Sequence, residues 1–145
     1  MIFEARAPGI LPCLAGNYGL VLRLARARRI AIGGLGRFLF PAGWYIYVGS
    51  AKGPGGLRAR VERHWRGTGR THWHVDYLRQ SARLVSAWYA VERDTRECAW
   101  AAALPDLGGR IVVPRFGATD CRCASHLYLF EECPDLTPLA FLNPL

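Results

Sequence analysis

Between Trp44 and Trp65 the periodicity of the chain switches, and this switch constrains the fold more than any other feature. Trp44 to Gly49 alternates like a strand, with Tyr45 and Tyr47 on one face and Trp44, Ile46 and Val48 on the other. The cluster Gly53-Pro54-Gly55-Gly56 breaks that pattern. Leu57, Val61 and Trp65 then recur every four residues, the buried stripe of a helix running to about Arg66. A strand thus feeds directly into a helix that must pack back on its sheet. Around this unit, Asn17 to Leu24 alternates as a half-buried strand and Arg26 to Arg29 reads as a basic turn. Ile30 to Phe40 reads as one or two further strands interrupted by Gly33, Gly34 and Gly36, in the same small antiparallel sheet. Trp73 to Gln80 predicts a short helix, Leu84 to Val91 a strand, and Asp94 to Leu104 a third helix ended by Pro105. Ile111 to Val113 and Leu127 to Phe130 are expected as short strands. The expectation is an α+β fold, a small mixed or antiparallel sheet flanked by helices, in a single domain over residues 1–145.

With 51% hydrophobic and 21% charged residues in 145, the chain can bury a reasonable core. No apolar run approaches the roughly 18 residues of a membrane span, and the first residues lack a signal-peptide pattern, so a cytoplasmic location without membrane association is expected. Five cysteines at irregular spacing fit free thiols or a metal site better than a disulfide framework. The formal charge is +8 with a pI near 9.8, which favours partners of dense negative charge, nucleic acid first and a membrane surface second. Lys52 is the only lysine. Codon bias can account for arginine over lysine, but not for the clustering of Lys52, Arg58, Arg60, Arg63, Arg66 and Arg70 against the single acid Glu62. Guanidinium forks grip phosphate oxygens bidentately, and Lys52, Arg58, Arg63, Arg66 and Arg70 are the expected nucleic-acid contacts.

Arg60 and His64, four residues apart on the helix, can point at one spot beside the strand end, a geometry suited to holding a phosphate. Asp94-Thr95-Arg96-Glu97 has the pattern of a capping box, in which Glu97 closes a helix start.

Tyr47-Val48-Gly49-Ser50-Ala51-Lys52, followed by Arg60-Val61-Glu62-Arg63-His64 and preceded by Gly16-Asn17-Tyr18, resembles the GIY-YIG nuclease superfamily. Gly16 to Tyr18 match its first motif and Tyr47 to Gly49 its second, while Arg60, His64 and Glu97 fall at the remaining active-site motifs. A closer resemblance covers nearly the whole chain. It is to a prokaryotic branch of that superfamily sometimes fused to endonuclease III-type DNA glycosylases, and it rests on Gly43 to Ala51, His72 to Leu78 and Phe116 to Leu127. The resemblance implies a divalent-metal-dependent endonuclease acting on DNA in repair or processing, with a repair glycosylase as a possible partner. Tyr18 and Tyr47 would stand at the attacking water, Arg60 on the scissile phosphate with His64 assisting, and Glu97 on Mg2+ or Mn2+. A phenol has an ordinary pKa near ~10 and serves as a base only where cations favour its ionised form. The stretch between Tyr18 and Tyr47 is longer than in typical members, Gly55-Gly56 are additional, and Asn143 is no clear match for a C-terminal asparagine found in many active members. These departures motivate a second reading, a non-catalytic nucleic-acid-binding module on the same scaffold.

The segment Asp120-Cys121-Arg122-Cys123-Ala124-Ser125-His126 together with His72 or His74 holds enough thiolate and imidazole for zinc. One residue between Cys121 and Cys123, where paired zinc cysteines are ordinarily two to four apart, and the lack of a second cysteine pair favour a metal-free loop instead. There Asp120 and His126 would hydrogen-bond the loop, while His72, His74 and Asp76 would fix the turn before the second helix.

Overall fold

The computed structural model describes residues 1–67 and 71–142. Among these described residues seven strands and three α-helices follow in the order β1 (Phe3–Ala5), β2 (Gly16–Leu24), β3 (Arg28–Ile32), β4 (Gly36–Phe40), β5 (Gly43–Ala51), α1 (Gly56–Arg66), α2 (His74–Arg79), β6 (Arg83–Val91), α3 (Glu97–Ala103) and β7 (Leu127–Phe130). The main sheet is antiparallel throughout, in the order β1-β6-β2-β5-β7, and β3 and β4 form a separate two-stranded ribbon. The fold is therefore α+β, as expected. Among the described residues no helix is long and apolar enough to cross a membrane.

The ribbon is a correction to the single sheet read from the sequence. β2 and β5 pair along their whole length, Gly16 opposite Ala51 and Leu24 opposite Gly43. Their outer edges are taken by β6 and β7, so no hydrogen-bonding edge beside them is left for β3 and β4. The two strands pair with each other beyond the β2–β5 end and bury Ile30, Ile32 and Phe40 in the core that also holds Val75 and Leu78 of α2. Arg28 and Arg29, read as turn residues, belong to β3.

Alternation divides the sheet as the sequence predicts. Tyr18, Leu20, Leu22, Tyr45 and Tyr47 face one core, closed by Leu57 and Val61 of α1 and by α2. Val21, Ile46 and Val48 face the other, closed by Trp100 and Ala101 of α3, with Trp44 packed against it. α1 ends where Gly67 N–H bonds the Arg63 carbonyl. Arg79 covers the last carbonyls, donating from Nε to His64 O at 3.1 Å and from Nη2 to Trp65 O at 2.8 Å. A guanidinium there satisfies orphan acceptors and opposes the negative end of the helix dipole.

Three further differences lie toward the C-terminal half. α3 starts at Glu97, not Asp94, and runs into a 3-10 turn at Leu104–Leu107. Residues 111–113 form no strand; Arg110 makes one bridge to Leu129 and the chain then turns away. β1, unanticipated, adds an edge to β6.

Candidate active site

β2, β5, α1, α3 and the 117–120 segment converge on a cleft of about 290 Å3. Tyr18, Tyr47, Arg60 and Glu97, four of the five residues expected to be catalytic, line it. Tyr18 lies opposite Gly49 in the β2–β5 ladder, and a Cβ at Gly49 would stand 2.6 Å from the Tyr18 hydroxyl. Only glycine admits the phenol at that level of the sheet, which gives the Tyr47-Val48-Gly49 motif its physical content. Gly117 does the same for Tyr47: its φ is +68° and a Cβ would meet the ring at 2.9 Å.

His64, the fifth, sits behind the cleft wall. It is buried, and its Nε2 lies 3.0 Å from the Tyr18 hydroxyl. Its Nδ1 is 3.9 Å from Asp76 Oδ1. A carboxylate on that side favours the tautomer with its proton on Nδ1, which leaves Nε2 to accept from the phenol. Burial pushes the His64 pKa down to about 4 despite the opposing pull of Asp76, so the ring is neutral near pH 7. Asp76 is expected to fix the turn before α2, and it does. Its Oδ2 accepts from His72 N–H at 2.7 Å and Trp73 N–H at 2.8 Å, and its two oxygens take the Arg63 fork at 3.2 and 3.1 Å. Burial acts to raise the Asp76 pKa, but these hydrogen bonds hold it below the usual carboxylate value. Asp76, His64 and Tyr18 thus form a line ending in the cleft.

Burial drives both phenols upward. Tyr18 rises to about 12 against the pull of the Arg60 guanidinium, and Tyr47 rises well above 10 with Tyr18 adding to the effect. Both are protonated near pH 7 without a further cation. Arg60 donates from Nη1 to Ser50 O at 3.2 Å, and its guanidinium lies 4.7 Å from the centre of the Trp73 ring. Trp73 is a site residue that sequence reasoning passed over as a helix start; it orients the cation by its face.

Glu97 does not act as a capping-box residue. It is the first residue of α3, Arg96 stands at the N-cap, and no side chain caps the helix. Burial raises the pKa of its carboxylate, opposed by the Arg60 guanidinium and by the nearby Ser50 backbone. Asn17 sets the position of that helix start. This fully buried amide donates to Glu92 Oε2 at 3.1 Å and Asp94 O at 3.0 Å, and accepts from Ser50 Oγ at 2.6 Å and Arg96 N–H at 3.0 Å. Both donors and both lone pairs are used. Asp120, expected to bond within its loop, lines the cleft, and its charge adds to the upward shift of Glu97. Glu97 and Asp120 are both carboxylates lining the cleft, and carboxylate oxygens are the donor type that a hard cation takes. His74 also lines the cleft, its Nδ1 accepting Gly117 N–H at 2.7 Å.

The basic segment divides. Arg66 is exposed on the last turn of α1, and Lys52 is exposed while donating to Arg93 O. Arg58 turns inward, its Nε bonding Leu11 O at 2.7 Å, and Arg63 is held by Asp76 and stacked at 4.2 Å on Trp73. Both are thus anchored to the protein by at least part of the guanidinium, whereas Arg66 has its side chain exposed. Arg70 and Asn143 lie outside the described residues.

Cys121, Cys123 and His126 come together beside the cleft with a fourth group that sequence spacing did not reveal. Cys98, next to Glu97 on α3, brings its sulfur to the same point, and the four ligand atoms lie within 4.8 Å of one another. The missing second cysteine pair, the ground for expecting a metal-free loop, is thus supplied in part by the neighbouring helix.

Residues 17–140 match the model of a family described as a domain of unknown function, DUF123. No curated protein and no solved structure gives a significant match.

Proposed function

We propose that this protein, which belongs to the DUF123 family, is a divalent-metal-dependent endonuclease that hydrolyses phosphodiester bonds in DNA. The observation that carries the reading is the convergence of Tyr18, Tyr47, Arg60 and Glu97, from four separate elements, on one cleft. The proposed setting is DNA repair or processing in the cytoplasm, with a repair glycosylase as a partner consistent with the resemblance.

In this reading Glu97, with Asp120 of the same cleft, would hold Mg2+ or Mn2+. The bound cation supplies positive charge that neutralises a phosphate and lowers the pKa of the nearby phenol. Arg60, fixed by Ser50 O and the Trp73 face, sits on the non-bridging oxygens and stabilises the charge that grows there as water attacks phosphorus. The attacking water gives its proton to the Tyr18 oxygen while the phenolic proton passes to His64 Nε2, along the 3.0 Å contact already made. The P–O bond opposite the water breaks, the departing oxygen takes a proton from solvent, and His64 returns its proton through Tyr18 to solvent, which restores the neutral ring. Tyr47, held by Gly117 and Phe116, donates to the same phosphate or water.

An incision assay on single-stranded, duplex and branched DNA, with magnesium, manganese or chelator, tests this. Metal-dependent nicking that disappears in Glu97→Ala is the expected result. Salt-sensitive binding without cutting on any of these substrates would replace the enzyme with the non-catalytic binding module.

A further inference from the structure

Cys98, Cys121, Cys123 and His126 have no part in that mechanism, yet they meet at one point from α3, from the 121–123 turn and from the residue before β7. We propose that these four residues bind one zinc ion in a closed tetrahedral site, and that this ion locks the start of α3 and the 118–126 loop in place on the two sides of the cleft. Around zinc, with Zn–S near 2.3 Å and Zn–N near 2.0–2.1 Å, tetrahedral ligand atoms stand about 3.5–3.8 Å apart. Cys121 Sγ lies 3.4 Å and Cys98 Sγ 3.8 Å from His126 Nε2, with all four ligand atoms inside 4.8 Å. The sulfurs are unpaired thiols rather than a disulfide.

The surroundings support ligation over simple packing. His126 turns Nε2 to the sulfurs and Nδ1 toward Glu97 Oε2, 3.9 Å away, so a carboxylate stands on the side opposite the ligating nitrogen. That arrangement recurs around zinc-bound histidines and orients the ring. The His126 backbone is pinned on both sides, N–H to Phe116 O at 2.8 Å and O from Val48 N–H at 3.0 Å. Arg115, with φ at +66°, donates to the carbonyls of Ala118, Cys121 and Cys123 at 2.5 to 2.6 Å. The loop is thus shaped by its backbone, leaving the side chains of Cys121 and Cys123 for the ion. Three sulfurs and an imidazole select zinc, whereas the oxygen set at Glu97 suits magnesium, so the two sites do not compete for one metal. Binding converts the three thiols to thiolates and releases their protons to solvent. With four protein ligands there is no open position for substrate, which makes the site structural.

Elemental analysis of the protein purified without added zinc should give about one equivalent per chain. In the same sample Ellman's reagent should titrate Cys13 and Cys133 rapidly, and all five thiols once a chelator strips the metal. Exchange with cobalt should produce the intense visible bands of a tetrahedral thiolate site. Cys98→Ser should lose the zinc, and Cys13→Ser should keep it. Little zinc with five thiols reactive before chelation, a disulfide among the cluster cysteines, or an octahedral cobalt spectrum overturns the proposal. Should Cys98→Ser fail to fold, the wild-type thiol count and cobalt spectrum decide alone. None of these readouts depends on DNA cleavage, so the zinc site and the endonuclease reading can fail separately.

Discussion

Arg60 and Tyr47 line the cleft and His64 lies behind it against Tyr18, so their substitutions should read out differently. Arg60 stabilises charge that exists only in the transition state, so Arg60→Ala should lower incision by about 100-fold or more while DNA binding falls far less. Tyr47→Phe, which removes one hydroxyl and keeps the ring against Phe116, should show the same division at smaller amplitude. Single-turnover cleavage beside equilibrium binding checks both; equal losses in the two would sink the catalytic assignment. For His64 the measurement is stability. Its folded pKa of about 4 lies below the ordinary 6.5, so between these values the unfolded chain binds a proton that the folded chain refuses. The stabilisation is complete above pH 6.5 and is lost as pH falls toward 4, on the order of 3 kcal/mol in all. Thermal unfolding followed across that window should fall less steeply in His64→Gln than in the wild type.

At the level of elements, the site depends on where α3 begins, and Asn17 sets that point. Asn17→Ala would leave the Arg96 N–H, the Ser50 hydroxyl and the Asp94 carbonyl short of a partner, a loss of about 1–3 kcal/mol per group that finds no water. The expected result is a lower melting temperature together with weaker metal dependence of cleavage, because Glu97 moves with the helix start. Cleavage at wild-type metal dependence in a destabilised Asn17→Ala protein would refute the coupling. Strand and helix identities here were legible because alternation in 17–24 and 44–49 and the four-residue stripe of α1 are local signals. The ribbon position of β3 and β4 was not, since it follows from which sheet edges are already occupied. Likewise Glu97 fitted a capping-box pattern in sequence, but the helix begins two residues later than the pattern requires, with Arg96 rather than Asp94 at the N-cap. Cys98 could not be joined to Cys121 and Cys123 by spacing, because the contact exists only when α3 docks on β5.

Over the whole molecule the net charge of +8 predicts an attraction to polyanions, but it does not say which arginines meet them. The sequence offered Lys52, Arg58, Arg63, Arg66 and Arg70 as one basic run. In the fold, Arg58 anchors the N-terminal segment through Leu11 O, and Arg63 is committed to Asp76 and the Trp73 face, whereas Arg66 projects from the end of α1. A guanidinium anchored through its Nε, as Arg58 is on Leu11 O, contributes to the fold, and one that meets solvent without such an anchor is available to displace counterions from a phosphate backbone. Arg66→Ala should therefore reduce the slope of log affinity against log salt by about 0.9 for duplex DNA, similarly for unrelated sequences, with the melting temperature unchanged. Arg58→Ala should do the reverse, lowering the melting temperature and leaving the salt slope intact. Salt titrations of binding for both variants, set beside their unfolding curves, decide the matter: if Arg58→Ala flattened the slope as much as Arg66→Ala, the basic run would be a single phosphate-binding surface and its division by hydrogen bonding would be wrong.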